Sequence, residues 1–308
     1  MSQGECGFSI IIPTYARPVQ IVGCLKSLTK LVSPRSGFEV IIVDDGSPEP
    51  LDTIVEPFRA AMEIKLLRQE NSGPAMARNA GAANARGRIL AFTDDDCRPE
   101  PEWLCAIERA LEANPNCMVG GVTKNLLPNE LFASTCHVIH LMVYSFFNHN
   151  HEDALLLASN NMALAAELFH RLGGFDAEHF RKSAAEDRDL CFRFRELGYS
   201  LKLVPDAIIG HAHSMTLYKF CRQHFWYGQG AFHYHRKQSR VVAKSLKNDT
   251  RLHTQFYRWL PGALGGIPFL MRIPVLPMLV VWQLANAAGF FYESYFGRKI
   301  YEARRSTS

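Results

Sequence analysis

The stretch Ile89-Leu90-Ala91-Phe92-Thr93-Asp94-Asp95-Asp96 joins a short apolar run to three consecutive carboxylates. The apolar run is typical of a buried strand, because it is brief and rich in aliphatic and aromatic side chains. Three adjacent carboxylates repel one another, so a folded chain keeps them together where positive charge compensates. A hard divalent cation such as Mg²⁺ or Mn²⁺ is the usual source of that charge. A solvated turn is the alternative interpretation, since Asp is a common turn residue.

Similar runs alternate with helical patterns along the first half of the chain. The predicted strands are Phe8–Ile12, Val40–Val43, Ile64–Leu67, Ile89–Phe92 and Met118–Val122. The predicted helices are Val19–Leu31, Pro50–Met62, Pro74–Ala85 and Glu102–Asn114. This alternation predicts an α/β fold, a Rossmann-like and mainly parallel mixed sheet with helices on both faces.

The second half has a less regular pattern. Its predicted strands are Ala158–Ala165, Leu201–Val204 and Ala207–Gly210. Its predicted helices are Glu130–Asn150, Glu167–Leu172, Ala184–Leu197 and Leu217–Lys237, the last of them interrupted by Gly228 and Gly230.

Composition restricts the class of function. A chain of 308 residues with 47% hydrophobic residues can bury a substantial core. The net charge of +4 is modest, and we expect no nucleic-acid partner. The eight cysteines include no Cys-x-x-Cys pair, and the first residues do not resemble a secretory signal, so we expect a reducing cytoplasm.

Polar residues follow each of the first four strands. They are Pro13-Thr14-Tyr15, Asp44-Asp45-Gly46-Ser47, Asn71-Ser72-Gly73-Pro74 and Asp94-Asp95-Asp96. Ligands of open α/β sheets bind beyond the carboxyl ends of the strands, which predicts a functional site at this edge. The sequence has neither a Gly-x-Gly-x-x-Gly fingerprint after the first strand nor a Walker-type loop, so a nucleotide would bind by another device.

An ordered set of motifs resembles the family-2 glycosyltransferases of the GT-A fold. The set is Ile12-Pro13-Thr14-Tyr15, Val43-Asp44-Asp45-Gly46-Ser47, Asn71-x-Gly73-x4-Arg78-Asn79-x-Gly81, Phe92-x-Asp94-Asp95-Asp96, Gly173-Gly174-Phe175-Asp176 and Glu186-Asp187-x-Asp189-Leu190. The resemblance implies a GT-A domain over residues 1–240, with a donor half to about 125 and an acceptor half from about 126. Residues 241–308 would form a hydrophobic helical tail.

The resemblance also implies a nucleotide-sugar donor, Mn²⁺ or Mg²⁺, and inversion at the anomeric carbon. The implied donor-binding residues are Pro13, Thr14, Tyr15, Asp45, Gly73, Arg78, Asp94 and Asp95. Of these, Asp95 is expected to matter least, because it alternates away from its neighbours in an extended segment. A surface salt bridge is the alternative role for Arg78.

The implied metal ligands are Asp94, Asp96 and His211, and His211 is favoured over His213. Relatives often carry another Asp where this chain has Cys97, so the ligand set is expected to be smaller here. A structural histidine is the alternative for each imidazole.

Asp187 is the candidate general base, since an inverting displacement needs one carboxylate on the acceptor side. The alternative is a charged first turn of a helix, with Asp189 paired to Arg193 at i+4. The implied acceptor-binding residues are Asn161, Gly174, Phe175, Asp176 and Glu186.

The segment Phe256–Phe296 is very apolar, and Ile273–Tyr292 carries no charge. Three interpretations compete: a transmembrane helix, an anchor in the membrane surface, and a helix buried in the protein or an oligomer. Arg272 on one side and Arg298-Lys299 on the other would lie at headgroup level. We expect membrane contact at the inner face of the cell membrane.

The sequence thus predicts an inverting, metal-dependent glycosyltransferase. It would move a sugar from a nucleotide diphosphate sugar, preferably a UDP-sugar, to a glycan or lipid-linked acceptor in cell-surface polysaccharide or glycolipid synthesis. One alternative is a catalytically silent, membrane-associated nucleotide-sugar binding protein. Another is a nucleotidyltransferase, which would need a Gly-rich phosphate loop and a Lys near the first strand, and the sequence shows neither.

Overall fold

The computed structural model describes residues 6–180, 184–238 and 257–297. Within them lies one eight-stranded sheet with the order β3-β2-β1-β4-β7-β6-β8-β5. Its strands β1 to β8 are Phe8–Thr14, Phe38–Asp44, Ile64–Arg68, Ile89–Thr93, Cys97–Pro99, Met118–Asn125, Asn161–Ala165 and Leu201–His211. β1 to β4 are parallel to their partners in this group, whereas β7 is antiparallel to β4 and to β6. The predicted mixed α/β sheet is confirmed.

Ten α-helices accompany the sheet in the described residues. Helices α1 to α8 are Pro18–Leu28, Asp52–Val55, Pro74–Ala83, Trp103–Ala113, Leu131–Phe147, Ala166–Arg171, Glu186–Glu196 and Leu217–Gln238. They are followed by α9, residues 257–265, and by α10, Phe269–Tyr292, which runs into the π-turn Glu293–Gly297.

The helix predicted over Pro50–Met62 is wrong in its length. It is a single turn, α2, followed by the 3₁₀ turn Glu56–Phe58. Pro57 accounts for the break, because proline has no N–H to continue the helical ladder and its ring clashes with the preceding turn.

The two strands predicted over Leu201–Val204 and Ala207–Gly210 are one strand, β8. Its register against β6 shifts between Gly121 and Val122, where Gly121 pairs with Val204 and Val122 with Ile208. The extra residues bulge out and the ladder resumes, as β-bulges allow. Strand β5 was missed altogether, because three residues are too few to show a period.

Contact clustering separates two compact units. The first comprises residues 1–126, 148–177 and 187–212 and contains the whole sheet. All seven residues of β1 are buried, as expected for a parallel strand covered on both faces. The core beside it is built from the strands and from α1 and α4, including Ile10, Val40, Ala91 and Trp103.

The second unit comprises residues 127–147, 178–186 and 213–308, so its limits differ from the predicted division after residue 240. Its core joins α5, α8, α9 and α10. The buried side chains there include Val138, Phe220, Ala263, Val275 and Trp282.

The predicted interruption of α8 by glycine is wrong, since the helix is continuous from Leu217 to Gln238. Its glycines serve packing instead. A side chain at Gly228 would overlap the carbonyl oxygen of Asn286 in α10, and one at Gly289 would overlap that of Phe225 in α8. The missing side chains let the two backbones approach closely.

A pair of glycine substitutions tests this packing. Gly289→Ala should lower the melting temperature by several degrees, because overpacking costs roughly 1–3 kcal/mol. Gly262→Ala is the matched control, since Gly262 lies in α9 with open space around it. That control should be neutral or stabilising, by up to about 1 kcal/mol of helix propensity. Equal melting temperatures for the two variants, measured by calorimetry, would contradict the close helix contact.

Candidate active site

The loop after β1 is tied to the loop after β2. The Ala16 N–H donates to Ser47 Oγ at 2.9 Å, and the Ser47 N–H donates to Asp44 Oδ1 at 2.8 Å. Ala16 has a φ of +52°, an uncommon value for a residue with a side chain. Tyr15, predicted to contact the donor, is exposed beside it. The two loops thus form one connected edge beyond the sheet.

Asp45 is buried and organises the segment that leads into α3. Its Oδ1 accepts from Gln69 Nε2 at 2.7 Å and from the Ser72 N–H at 2.9 Å, and its Oδ2 accepts from the Gly73 N–H at 2.8 Å. Because a carboxylate oxygen readily accepts backbone N–H donors, Asp45 fixes the position of the chain that precedes α3. Gly73 takes a φ of +91°, which suits glycine.

Arg78 and Asp94 form an ion pair at 2.7 Å between Nη2 and Oδ1. Arg78 is only 4% exposed, so its ion pair is not a surface salt bridge, which was the alternative role for this residue. Its guanidinium also lies 5.7 Å from the ring centre of Phe175. The pair joins α3 to the end of β4.

Asp95 and Asp96 share a guanidinium that sequence reasoning missed. Arg17 Nη1 lies 3.0 Å from Asp95 Oδ1, and its Nη2 lies 2.6 Å from Asp96 Oδ2. Asp95 is buried and also accepts a hydrogen bond from Thr14 Oγ1 at 2.7 Å. Burial raises the pKa of Asp95 to about 7, although Arg17 opposes the rise. The sequence signal for this contact was the position of Arg17 just after the first strand, at the edge of the sheet that also carries the three aspartates.

Asp96 meets His211 on the other side. Strands β5 and β8 pair Cys97 with His211, and His211 Nε2 lies 3.2 Å from Asp96 Oδ1. The potential ligand atoms of Asp96, Cys97 and His211 lie within 4.8 Å of one another. By contrast, His213 Nε2 lies 3.1 Å from Gln223 Oε1.

This donor set fits a divalent cation. Carboxylate oxygen and imidazole nitrogen are ligands that Mn²⁺ accepts, and few protein ligands are needed where substrate phosphates complete the shell. Burial, followed by the charges of Asp96 and Asp94, raises the pKa of the Cys97 thiol well above its ordinary value. Because Mn²⁺ and Mg²⁺ prefer hard oxygen ligands to soft sulfur, Cys97 is better suited to lining the site than to binding the ion.

Asp187 is the second residue of α7 and is partly buried. The Arg188 N–H donates to its Oδ1 at 2.7 Å, and the Ser159 N–H lies 3.5 Å from its Oδ2. Burial raises the pKa of Asp187, the charge of Arg78 lowers it, and that of Asp94 raises it. Asp187 therefore shares its electrostatic environment with the Arg78–Asp94 pair.

Asp189 pairs with Arg193, as the i+4 spacing predicted, with 2.7 Å between Oδ2 and Nε. The same guanidinium donates to the carbonyl oxygens of Leu172 and Gly174 at 2.7 Å each. This network ties the Gly173-Gly174 turn to the helix that carries Asp187.

The predicted acceptor-binding residues differ in their surroundings. Asn161 is buried: Trp103 Nε1 donates to its Oδ1 at 2.8 Å, and its Nδ2 donates to the carbonyl oxygens of Ala207 at 2.9 Å and Val122 at 3.2 Å. These bonds hold its amide in the interior of the sheet, and its role as an acceptor contact stays a prediction.

Phe175 is also buried, with its ring 5.2 Å from Phe92 and 5.5 Å from Phe169 between ring centres. Asn79 donates to the Phe175 carbonyl at 2.8 Å and accepts from its N–H at 2.9 Å. Gly174 has a φ of +72°, and a side chain there would meet Asn79 Oδ1 at 2.6 Å. Asp176 is partly buried and Glu186 is buried. The turn is thus shaped by packing, and its backbone is held by Asn79.

The fold is that of the GT-A glycosyltransferases, and comparisons with known proteins agree. The family model "Glycosyl transferase family 2" matches residues 9–157, and "Glycosyl transferase family group 2" matches residues 89–292. The chain belongs to the family-2 glycosyltransferases. It is similar to glycosyltransferase AglE of Haloferax volcanii, with 31% identity over 209 residues, which is 66% of each chain.

Solved structures share the fold. A mannosyltransferase from Pyrobaculum calidifontis, in complex with GDP-Man and Mn²⁺, aligns over 94% of this chain and 87% of its own, with a TM-score of 0.66 and 19% identity. Residues 1–349 of TarS from S. aureus, in complex with UDP-GlcNAc, align over 98% of this chain and 92% of that structure, with a TM-score of 0.52 and 18% identity. Among the curated relatives, the matched part covers 66% of AglE but only 44% of a pre-mycofactocin glycosyltransferase.

The charge balance around Arg17 can be tested by substitution. Arg17→Gln should lower the free energy of unfolding by roughly 1–3 kcal/mol in a chelating buffer, because it removes the guanidinium that both buried carboxylates share. Mn²⁺ should restore part of that loss by supplying positive charge at Asp96. The measurement is thermal unfolding with EDTA and with Mn²⁺.

Arg59→Gln is the control, since it removes an exposed ion pair with Glu56. That change should cost less than about 1 kcal/mol and should show no response to Mn²⁺. If Arg17→Gln lowers the free energy of unfolding no more than this control, or if Mn²⁺ does not reduce the loss, then Arg17 does not compensate the charge of Asp95 and Asp96.

Proposed function

We propose that this protein is an inverting glycosyltransferase that takes a sugar from a nucleotide diphosphate sugar, preferably a UDP-sugar. The observation that carries the proposal is the position of Asp187, a carboxylate with a raised pKa in the electrostatic field of the Arg78–Asp94 pair. One carboxylate beside a site for a charged donor is the arrangement that a single displacement requires.

In the proposed reaction, Asp187 removes the proton from an acceptor hydroxyl as its oxygen attacks the anomeric carbon. The bond from that carbon to the phosphate oxygen breaks, and the nucleoside diphosphate leaves with the electron pair. A raised pKa makes Asp187 a stronger base than an ordinary Asp, provided that it is ionised at the working pH. Arg78 lies where it can interact with the phosphates, since α3 begins at the same edge.

Asp96 and His211 would hold Mn²⁺ or Mg²⁺, with Asp94 as a donor-side neighbour. A bound cation supplies Lewis-acid neutralisation of the negative charge that develops on the leaving diphosphate. The Mn²⁺ and GDP-Man bound to the Pyrobaculum enzyme, and the UDP-GlcNAc bound to TarS, support a divalent ion and a nucleotide sugar. For the acceptor we propose a glycan or a lipid-linked glycan.

A base substitution tests the mechanism. Asp187→Asn should reduce the turnover number by about 10²–10⁴-fold, because the amide cannot take a proton, while binding of the donor stays within about twofold. The assay is a panel of UDP-, GDP- and TDP-sugars with Mn²⁺, with transfer and hydrolysis both measured. Wild-type protein that neither transfers nor hydrolyses any of them would refute the proposed function.

Asp153→Asn is the matched control, because Asp153 forms an exposed ion pair with Arg195 of α7, the helix that also carries Asp187. Its turnover should be unchanged. The pH profile adds a second check: activity requires ionised Asp187, so it should fall as pH decreases through a pKa above the ordinary Asp value of about 3.9. An acid limb at or below that value would contradict the assigned base.

We also propose that α10 lies in the surface of a membrane at the inner face. Among the described residues, α10 and the π-turn that follows it, together Phe269–Phe296, are long and apolar enough to cross a bilayer by length and composition. Of their most apolar stretch of 18 residues, 22% is buried. Val275, Leu279 and Trp282 face the core that α10 shares with α5 and α8. A helix that packs along one side of its own unit is better suited to lying in the interface than to crossing alone.

The opposite face of α10 is apolar and exposed. Ile273 is 70% exposed and Leu284 is 66% exposed. Helix α8 also carries exposed aromatic side chains, and Arg222 lies over the rings of two of them, Tyr218 and Trp226. Aromatic and basic side chains around an apolar face are typical of the headgroup region of a membrane. Arg298 and Lys299, predicted to lie at headgroup level, fall outside the described residues.

Vesicle binding tests this surface. Val280→Glu combined with Leu284→Glu should reduce co-sedimentation with anionic phospholipid vesicles by about tenfold or more, because a charge at an apolar interface costs on the order of 2 kcal/mol or more. Leu197→Glu is the control, since Leu197 is 53% exposed in the first unit. Absence of wild-type binding to vesicles would contradict the proposal. A dimer in solution that the double substitution dissociates would also contradict it.

A further inference from the structure

The backbone just before Asp187 is strained. Ala185 has a φ of +109°, a conformation that residues with a side chain rarely adopt. Such a conformation costs about 1–3 kcal/mol and persists only where the surroundings hold it. Ala185 lies two residues before Asp187 and directly before the start of α7. Contacts that hold the backbone of Ala185 therefore also determine the position of the first turn of α7.

Gly230 in α8 contacts this strained segment. A side chain at Gly230 would overlap the carbonyl oxygen of Ala184, and its Cβ would lie 2.6 Å from the Ala184 carbonyl carbon and 3.3 Å from Ala185 Cβ. The segment thus rests on the bare backbone of the helix. Glycine within a helix costs roughly 0.5–1 kcal/mol relative to Ala, so its presence here is offset by the contact that it permits.

Few polar contacts hold the carboxylate of Asp187, the proposed base. Within the part of the chain that the structure describes, its carboxylate accepts from two backbone N–H groups, that of Arg188 at 2.7 Å and that of Ser159 at the longer distance of 3.5 Å. The carboxylate therefore moves with the first turn of α7. A misplacement of about 1 Å in a catalytic group can cost on the order of 10²-fold in rate.

We propose that Gly230 is a positioning residue for the general base. By allowing the Ala184 carbonyl to rest on α8, it holds the strained backbone at Ala185 and so fixes the start of α7, from which Asp187 projects. The proposal rests on the proposed role of Asp187 as the base, and it assigns Gly230 no contact with either substrate.

The test compares two glycines of α8 that differ in what they contact. Gly230→Ala should lower the turnover number at least about tenfold while leaving the donor KM within about twofold, as expected when only a reacting group is misplaced. Gly228→Ala is the matched control, because its side chain would overlap a backbone carbonyl of α10 instead. It should lower the melting temperature without lowering turnover, measured well below that temperature.

A second substitution separates positioning from general damage. Ala185→Gly, made in the Gly230→Ala background, should restore turnover by at least about threefold, because glycine adopts many backbone conformations and has no Cβ to clash. A loss of turnover shared equally by Gly228→Ala and Gly230→Ala would overturn the proposal. So would a loss that appears only in the donor KM, or one that Ala185→Gly does not relieve.

Hydrogen exchange provides a readout that does not depend on activity. The amides of residues 190–193, the first that donate within α7, should exchange faster in Gly230→Ala than in wild type and should be unchanged in Gly228→Ala. If wild-type protein transfers no sugar, the proposed function fails, and exchange alone still tests whether Gly230 holds the start of α7. Equal exchange in all three proteins would overturn the positioning role.

Discussion

Neutralisation of three carboxylates at the end of β4 is the constraint on which the candidate site depends. Each carboxylate has a different partner. Asp94 pairs with Arg78 of α3, Asp95 with Thr14 and Arg17 after β1, and Asp96 with Arg17 and His211 of β8. Because buried charges are costly without partners, this requirement draws elements that are distant in the chain to one edge of the sheet.

The three positions are chemically distinct for the same reason. Asp95 is turned into the protein, and its pKa is raised to about 7 by burial. Asp96 faces an imidazole, which is the better arrangement for a divalent ion, while the charges of Arg78 and Asp94 shift the pKa of Asp187 in opposite directions. One short stretch of chain thus contributes a structural carboxylate, a candidate metal ligand and a charge near the proposed base.

Local patterns predicted the fold well where burial is continuous. The apolar runs that became β1, β2 and β4 were found because these parallel strands are almost completely buried, and the Asp189–Arg193 pair followed from helical spacing. The failures have specific causes. A bulge merged two predicted strands into β8, Pro57 shortened a predicted helix, and the glycines of α8 were taken for breaks although they meet the backbones of Asn286 and Ala184.

By itself, the sequence determined the α/β class, the edge at which the polar residues collect, and the candidates Asp96, Asp187 and His211, since all of these follow from strand ends and ordered motifs. Tertiary structure alone decided which groups meet. Arg17 reaches Asp96 across 79 positions of chain, and Asn161 is drawn into the sheet by bonds to Trp103 and Ala207. Such pairings depend on which backbone passes nearby, and a linear pattern contains no distance between elements that are far apart in the chain.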